Sequence, residues 1–166
     1  MEVIDIIDAD GNVIGTASRE ECHNGSLHLH GVVHVLVFTG DGRLVVQKRS
    51  ESKDIQPGKW DTSVGGHINT GESITGALVR ESREELGIEG ASFERLYTYI
   101  MESDIERELV TTYRSTWNGP LHFDDKEIED VRLMEKSEIE SRLETGYFTP
   151  NFEEEWKHYK RWLEEG

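Results

Sequence analysis

Alternating apolar and polar residues dominate the first half of the chain and predict paired β-strands. EVIDIID and VIGTAS flank the turn residues Asp10–Asn12 and predict a hairpin over about residues 1–18. HGVVHVLVF and RLVVQKR, which flank TGDG, predict a second and stronger hairpin. A further short strand is expected around Asp61–Val64, after the turn signal Pro57–Gly58.

The next pattern is helical, and its apolar side ends in acids. Ile74, Ala77 and Leu78 form an apolar stripe at helical spacing, whose next two members are Glu81 and Glu85. A carboxylate that faces a core costs free energy unless it is paired or bound to a metal ion. This stretch therefore indicates chemistry as well as structure.

The rest of the chain alternates strands and helices. The helix above is expected from about residue 73 to residue 86, and strands are expected over Ala91–Tyr99 and Leu109–Trp117. DVRLME predicts another strand, KSEIESRLE a short helix, and about residues 151–165 a final amphipathic helix. We find no repeat or linker, so one domain over residues 1–166 is expected. The fold class predicted is α+β, with a mixed β-sheet between α-helices.

Composition narrows the function classes. The formal net charge of -16 argues against binding nucleic acid through a broad basic face. The single cysteine, Cys22, cannot form an internal disulfide and favours a reducing compartment, so we expect a cytoplasmic protein. The acidic start MEVIDIIDADGNV predicts no secretory signal, and no apolar stretch is long enough to cross a membrane.

The acidic helix suits a divalent cation. Glu81 and Glu85 are four residues apart, so their side chains share one helix face, and Glu84 flanks them. Close carboxylates repel, and hard oxygen ligands favour Mg²⁺ or Mn²⁺ over Zn²⁺. A solvated glutamate-rich surface is the alternative, but the apolar stripe that runs into the pair favours the metal.

The spacing of these residues resembles a known motif, the Nudix box, over residues 66–88. The motif is matched by Gly66, by Glu72 after five intervening residues, and by RESREELGI after seven more. One position departs from it: Ser82 stands where the family usually has an apolar residue. We expect Ser82 at the edge of the apolar stripe, with slightly poorer packing.

The resemblance implies the Nudix fold and hydrolysis of a nucleoside diphosphate linked to another moiety, by attack of water on phosphorus. It implies a magnesium ion that neutralises the diphosphate oxygens and activates the water. The implied metal ligands are three glutamates and a glycine carbonyl: Glu81, Glu84, Glu85 and Gly65 or Gly66. The implied structural residues are Gly66, Glu72, Arg80 and Gly87, with a salt bridge between Arg80 and Glu72.

From about Ile4 to Val131 the chain is also similar to the Nudix branch that contains isopentenyl-diphosphate isomerases. The stretches that carry this likeness are CHNGSLHLHGVVHVLVF and QKRSESKDIQPGKWDTSVGGH. In that branch three histidines and two glutamates hold a second metal, and the matching residues here are His23, His30, His67, Glu106 and Glu108. Arg49 and Lys53 match residues that grip the diphosphate, although surface cations are commonly just solvated.

Two departures favour a hydrolase over an isomerase. The isomerases need a cysteine where this chain has Gly65, and their box is degenerate, whereas Glu81, Glu84 and Glu85 are all kept here. An isomerase and a non-catalytic Nudix ligand-binding module remain the alternatives. The histidines could be inherited scaffold, since a histidine in a strand is commonly just hydrogen-bonded.

Two features are less well determined by the sequence: the base that activates the water, and the identity of the substrate. Nudix hydrolases take a base from the box, here Glu84 or Glu85, or from a later loop. The candidates outside the box are Glu102, Glu106, Glu108 and Glu127, of which Glu127 is favoured because DDKEIED precedes a strand.

Four aromatic residues are candidates to stack on a base of the substrate: Trp60, Tyr97, Tyr99 and Trp117. The expected partner is a small soluble diphosphate. Nudix proteins are often dimers, which leaves a homodimer open.

Overall fold

The structure, a computed structural model, describes residues 3–52 and 56–165. Lys53 lies outside the described residues. The strands are β1 (Val3–Ile7), β2 (Val13–Ser18), β3 (Leu29–Phe38), β4 (Leu44–Arg49), β5 (Trp60–Asp61), β6 (Val64–His67), β7 (Glu94–Glu102), β8 (Arg107–Thr116) and β9 (Ile128–Met134). The helices are α1 (Arg19–Cys22), α2 (Ile74–Leu86), α3 (Lys136–Arg142) and α4 (Pro150–Glu165).

Strand β3 organises the sheet. It pairs antiparallel with β6 and parallel with β8 along its whole length, while β7 pairs with the other edge of β8. The residues of β3 are buried on both faces, which is why the run is almost continuously apolar. A two-sided apolar strand belongs in the middle of a sheet, and β3 occupies that position.

The first predicted hairpin, β1 with β2, is confirmed, but the second is only partly right. Strands β3 and β4 meet at a single pair, Phe38 with Leu44, and then part. Beyond that pair β4 joins β5 and β9 instead. The strand expected around Asp61–Val64 is likewise split into β5 and β6. The Ser63 hydroxyl lies between the diverging strands, where it donates to Val45 O and accepts from Val37 N.

Two apolar clusters cover the two faces of the sheet. Ala77, Leu78 and Leu86 of α2 pack against the valines of β3. On the opposite face Phe152 and Trp156 of α4 pack against other sheet residues, with α3 beside them. The predicted α+β class, a mixed sheet between helices, is therefore confirmed. No helix in the described ranges is long and apolar enough to cross a membrane.

Helix α2 begins and ends as predicted, but its buried face differs from the prediction. The Ser73 hydroxyl caps it by accepting from Gly76 N, and Gly87 ends it with φ 67°. Ile74 is exposed, so its assignment to the apolar stripe was wrong. The buried face continues through Ser82, which is 1% exposed because it lies one turn from both Leu78 and Leu86. The prediction that Ser82 lies at the edge was therefore also wrong.

The sequence interpretation missed α1 and shifted the bounds of β7 and β8. Helix α1 begins with a capping box in which the side chains of Ser18 and Glu21 each accept a hydrogen bond from the other residue's backbone N–H. The sequence SREE is typical of this motif. Strand β8 begins at Arg107, so Glu108 is a strand residue with a fixed orientation. Both details position side chains of the site described next.

Candidate active site and metal centre

A cavity of about 600 Å³ opens where β3, β6 and β8 meet α2. Its wall contains acids of the predicted box and most of the predicted second metal group. Among the residues that line it are His23, His34, Gln47, Arg49, Asp61, Gly65, Gly66, His67, Glu81, Glu84, Glu85, Glu106, Glu108 and Glu127. The structure thus brings together residues that lie far apart along the chain.

The carboxyl groups of Glu81 and Glu85 are held against each other on this wall. Gln47 Nε2 donates to Glu85 Oε1 at 2.7 Å, and Gly65 N lies 3.3 Å from Glu85 Oε2. Burial, followed by the hydrogen bond with Glu81 and its charge, raises the pKa of Glu85 well above its ordinary value. A divalent cation between the two carboxylates would relieve this repulsion and favour their ionised form.

Arg80 ties the helix to its entry loop. Its Nε and Nη2 donate to the two carboxylate oxygens of Glu72 at 2.8 and 2.9 Å, so the predicted salt bridge is present and bidentate. Nη1 donates to Glu81 Oε1 at 2.6 Å, and Nη2 also donates to His67 O at 3.0 Å. One guanidinium therefore fixes the entry loop, the Glu81 carboxylate and the backbone of His67.

Gly66 has a steric reason to be glycine. A Cβ at this position would lie 2.2 Å from Glu81 Cδ, far inside van der Waals contact. The Glu81 carboxylate consequently lies directly against the backbone of β6. These hard oxygen donors fit a magnesium or manganese ion. Glu84 is more exposed and lies 3.3 Å from Arg80 Nη1, so it converges less closely than Glu81 and Glu85.

The second group, here called the His/Glu cluster, comprises His23, His30, His67, Glu106 and Glu108. Ligand atoms of the first four lie within 4.8 Å of one another. His23 Nε2 is 2.7 Å from Glu106 Oε2 and 3.2 Å from His67 Nε2. Glu108 Oε2 lies 3.8 Å from His30 Nε2 and 3.9 Å from His67 Nε2. All five predicted ligands therefore converge, although they come from separate elements.

Electrostatics in the His/Glu cluster favour a cation. His30 Nδ1 lies 2.9 Å from His28 O, which fixes the proton on Nδ1 and leaves a lone pair on Nε2. Burial lowers the pKa of His30, and Nε2 has no hydrogen-bond partner within residues 3–52 and 56–165. Burial and the charge of Glu106 raise the pKa of Glu108 to about 8. Nitrogen lone pairs and crowded carboxylates are a donor set that first-row transition-metal ions such as Mn²⁺ bind.

Other predicted residues reach the cavity to different degrees. Arg49 lines it and lies 3.5 Å from Asp61 Oδ2, and Glu127 lines it from the loop before β9. The placement of Lys53 is not tested, because it lies outside the described residues. Glu102 points away, toward Arg107 across the β7–β8 hairpin at 3.1 Å. The candidate stacking residues are not among those that line this cavity, and their role stays a prediction: Trp60, Tyr97, Tyr99 and Trp117.

The sequence interpretation missed a buried polar cluster behind the cavity. His34 Nδ1 lies 2.8 Å from Glu155 Oε1, and the Glu155 carboxylate also binds the hydroxyls of Tyr97, Tyr99 and Thr112. Glu155 is 0% exposed. It was detectable as an acid among Phe152, Trp156 and Tyr159 on the apolar face of α4. We call His34, Tyr97, Tyr99, Thr112 and Glu155 the Glu155 cluster.

Sequence comparisons match this chain to one family. The family model described as NUDIX domain matches residues 28–156. An uncharacterized Nudix hydrolase of Yersinia pestis is 34% identical over 151 residues, which cover 91% of this chain and 81% of that protein. The uncharacterized Nudix hydrolase YfcD of Escherichia coli K12 is 31% identical over 150 residues, 90% of this chain and 82% of that protein.

Solved structures share the fold. The crystal structure of DR0079 from Deinococcus radiodurans has a TM-score of 0.79 at 23% identity and covers 92% of this chain and 96% of that one. The NUDIX domain of Shewanella oneidensis NrtR, a complex with ADP ribose, has a TM-score of 0.65 at 16% identity, covering 80% and 87%. At these identities the likeness concerns the backbone arrangement alone.

Proposed function

We propose, because the chain belongs to the Nudix hydrolase family, that it is a magnesium-dependent enzyme that cleaves a diphosphate linkage in a nucleoside diphosphate derivative or a similar soluble diphosphate. The observation that carries the proposal is the pair of hydrogen-bonded carboxyl groups, Glu81 and Glu85, on the cavity wall against Gly66. Two repelling acids at a cavity are costly without a cation and useful with one.

Each residue of the box then has a separate role. Glu81 and Glu85 hold the ion, which when bound neutralises the diphosphate oxygens and lowers the pKa of the attacking water. Gln47 and Gly65 N–H orient the Glu85 carboxylate, and Arg80 orients Glu81. Glu84 and the Gly65 carbonyl are proposed as further ligands, and Glu84, Glu85 or Glu127 as the base that takes the proton from water.

We further propose that the His/Glu cluster is a second cation site and that Arg49 and Lys53 bind the diphosphate. Two observations support the second site: the five ligands converge, and His30 Nε2 has no hydrogen-bond partner in the described part of the chain. The position of Arg49 on the cavity wall supports its role. A cavity lined by candidate metal ligands in a chain of net charge -16 suits a small anionic substrate rather than nucleic acid.

The nature of the substrate and of the assembly is also part of the proposal. A nucleotide derivative is supported by the NrtR domain, which is complexed with ADP ribose. Cytoplasmic location is supported by a single, buried cysteine. The single-domain organisation of residues 1–166 and the homodimer stay predictions.

An isopentenyl-diphosphate isomerase is the second candidate, because the five members of the His/Glu cluster converge as in that branch. Gly65 argues against it, since this chain has a glycine where the isomerases carry the cysteine that moves protons on carbon. A non-catalytic Nudix module is the third, and it is disfavoured because Glu81, Glu84 and Glu85 are all retained.

A panel of soluble diphosphates assayed with Mg²⁺ tests the proposal. We expect magnesium-dependent hydrolysis of at least one nucleotide derivative, and a loss of about two orders of magnitude or more in turnover for Glu85→Gln. Glu102→Gln is the matched control, because Glu102 is an acid that lies outside the cavity. Near-normal activity of Glu85→Gln would overturn the metal assignment. Conversion of isopentenyl diphosphate to its dimethylallyl isomer without phosphate release would establish the isomerase instead.

A further inference from the structure

We propose that Asp61 and Thr62 form a subsite that binds a hydroxyl group of the moiety attached to the substrate's diphosphate, such as a ribose next to the phosphates. The inference rests on the proposed function, because it takes the substrate to be a diphosphate derivative. Three observations support it: a buried hydroxyl without a partner, a carboxylate that is anchored through one oxygen, and the position of both beside Gln47 and Arg49.

The Thr62 hydroxyl is buried and makes no hydrogen bond. Thr62 lies in the link between β5 and β6, lines the cavity and is 3% exposed. Its Oγ1 has no hydrogen-bond partner in the ranges that the structure describes. A valine would fill the same space without an unpaired hydroxyl, so a threonine on the cavity wall needs a reason. Because Oγ1 makes no bond, rotation about χ1 to another staggered position turns it toward a ligand without breaking a hydrogen bond.

The Asp61 carboxylate beside it is anchored through one oxygen. Asp61 Oδ1 accepts from Thr149 Oγ1 at 3.0 Å and from Thr62 N at 2.7 Å. The Thr149 hydroxyl in turn accepts from Phe152 N, which ties the carboxylate to the first turn of α4. Asp61 Oδ2 lies 3.5 Å from Arg49 Nη1, at the outer limit of a hydrogen bond. One oxygen therefore holds the side chain in place, and the other is available as an acceptor.

The subsite adjoins the place proposed for the diphosphate. Asp61 pairs directly with Gln47 between β5 and β4, and the Gln47 amide binds Glu85 of the box. Arg49, the proposed diphosphate ligand, lines the cavity and is the cation near Asp61 Oδ2. A group that follows the diphosphate along this wall would therefore meet Asp61 and Thr62.

The chemistry of the pair matches a hydroxyl group. A carboxylate accepts a hydrogen bond, and a threonine hydroxyl both donates and accepts, so a group that is donor and acceptor at once satisfies both side chains. A further phosphate would be repelled by the Asp61 charge, and an apolar group would leave the Thr62 hydroxyl unpaired. Because Thr149 already fixes Asp61, little side-chain entropy is lost when such a group binds.

Calorimetric titration in saturating Mg²⁺ tests the inference with two non-hydrolysable probes: the α,β-methylene analogue of adenosine diphosphate, and the same compound without its two ribose hydroxyls. We expect the wild type to prefer the probe that carries the hydroxyls. Thr62→Val, which keeps the shape of the side chain, should reduce that preference about three- to tenfold, the worth of one neutral hydrogen bond. Asp61→Asn should reduce it by at least as much, because hydrogen bonds to a charged acceptor are stronger.

Ser115→Ala is the matched control. The Ser115 hydroxyl is also buried and without a partner among the described residues, but Ser115 is not one of the residues that line the cavity. Both Thr62→Val and Ser115→Ala should be at least as stable as the wild type in urea, because each removes an unpaired buried hydroxyl. Only Thr62→Val should lose preference for the probe with hydroxyls, which separates a binding role from a structural one.

A second measurement needs no variant. In the wild type the ¹³C-labelled methyl resonance of Thr62 should move when the probe with hydroxyls is added to saturation. An unchanged resonance, equal affinity of the wild type for the two probes, or a full preference in folded Thr62→Val would each overturn the inference. Turnover of the diphosphate panel is scored separately: hydrolysis with a full preference in Thr62→Val sinks only this inference, and binding that depends on Thr62 without hydrolysis sinks only the proposed function.

Discussion

The two candidate metal groups lie on one cavity but are built in opposite ways. The box acids come from one contiguous segment, and Arg80 and Gln47 satisfy their oxygens. The His/Glu cluster is assembled from the end of α1, from β3, β6 and β8, and from the turn before β8, and it leaves the His30 Nε2 without a partner among the described residues. The first group is held mainly by its own segment with one contact from β4, whereas the second depends on several strands of the sheet.

This difference predicts which kind of substitution disables each group. The box is restrained by a short loop, so a local steric change should disable it without unfolding the protein. In the His/Glu cluster the pKa of His30 is lowered and the pKa of Glu108 is raised. A cation bound between them would favour the neutral imidazole and the ionised carboxylate together. Substitution there should change metal content before it changes the fold.

The largest effect is expected from Gly66→Ala. The added Cβ would lie 2.2 Å from Glu81 Cδ, so the carboxylate must move, and kcat/KM should fall by about a hundredfold or more. Gly65→Ala is the matched variant, because its Cβ would lie 3.1 Å from the His34 ring and needs only a small adjustment. Equal losses in the two variants would show that the box does not depend on this close approach.

The next effect is a change in metal content. If the His/Glu cluster is a second site, His30→Gln should bind about one Mn²⁺ ion per chain where the wild type binds about two, because His30 Nε2 has no partner among the described residues and is available as a ligand. His28→Gln is the control, since the contact of His28 with His30 uses only its backbone carbonyl. Elemental analysis after dialysis measures the stoichiometry. Identical metal content in wild type and His30→Gln would contradict the second site.

A smaller effect is expected at the Glu155 cluster. Unlike the two candidate metal groups, this cluster balances its charges without a metal ion. The pKa of Glu155 is lowered from 4.5, so its stabilisation is present above pH 4.5 and is lost as pH falls through the folded-state pKa. For His34, burial acts to lower the pKa, but Glu155 raises it above 6.5 overall. That stabilisation is complete below pH 6.5 and is lost as pH rises through the folded-state pKa, by at most about 1.4 kcal/mol per pH unit.

Urea unfolding of the wild type and of His34→Gln in the presence of a chelator measures this pH dependence. The advantage of the wild type should be greatest between pH 4.5 and 6.5 and shrink on either side. A constant difference across that range would contradict the ion pair.

The smallest effect concerns the buried row of α2 that runs beside the box acids. Ser82→Ala should raise the free energy of unfolding by about 1 kcal/mol, because the buried hydroxyl has no hydrogen-bond partner in the described part of the chain. Magnesium-dependent turnover should not change, since Ser82 lies in the core. A drop in stability would show that the hydroxyl is satisfied in solution.

Local patterns predicted several elements but not all of them. Helix α2, helix α4 and the pair Glu81 and Glu85 follow from helical spacing within one segment, whereas the capping box of α1 is equally local and was overlooked. Contacts between distant segments could not be derived that way: nothing in RLVVQKR shows that β4 leaves β3 after one pair to join β9. The convergence of the His/Glu cluster was available only through resemblance to a family.

Helical spacing alone also misplaced the face of α2. The stripe drawn from Ile74 pointed at Glu81 and Glu85, whereas the buried row runs through Leu78, Ser82 and Leu86, and the acids lie beside it. A serine in the middle of a buried face has no polarity signal to reveal it. The bond between His34 and Glu155 spans the sheet and α4, which no local pattern encodes.

Strand β3 has a consequence for how the molecule opens. It carries both His30 and His34 and is hydrogen-bonded by β6 on one side and β8 on the other. Its amides can exchange with solvent only when the middle of the sheet separates, so they should rank among the slowest to exchange. Opening of the sheet would therefore also separate His30 and His34 from the residues that face them, and a partly opened molecule with an intact cavity should not accumulate.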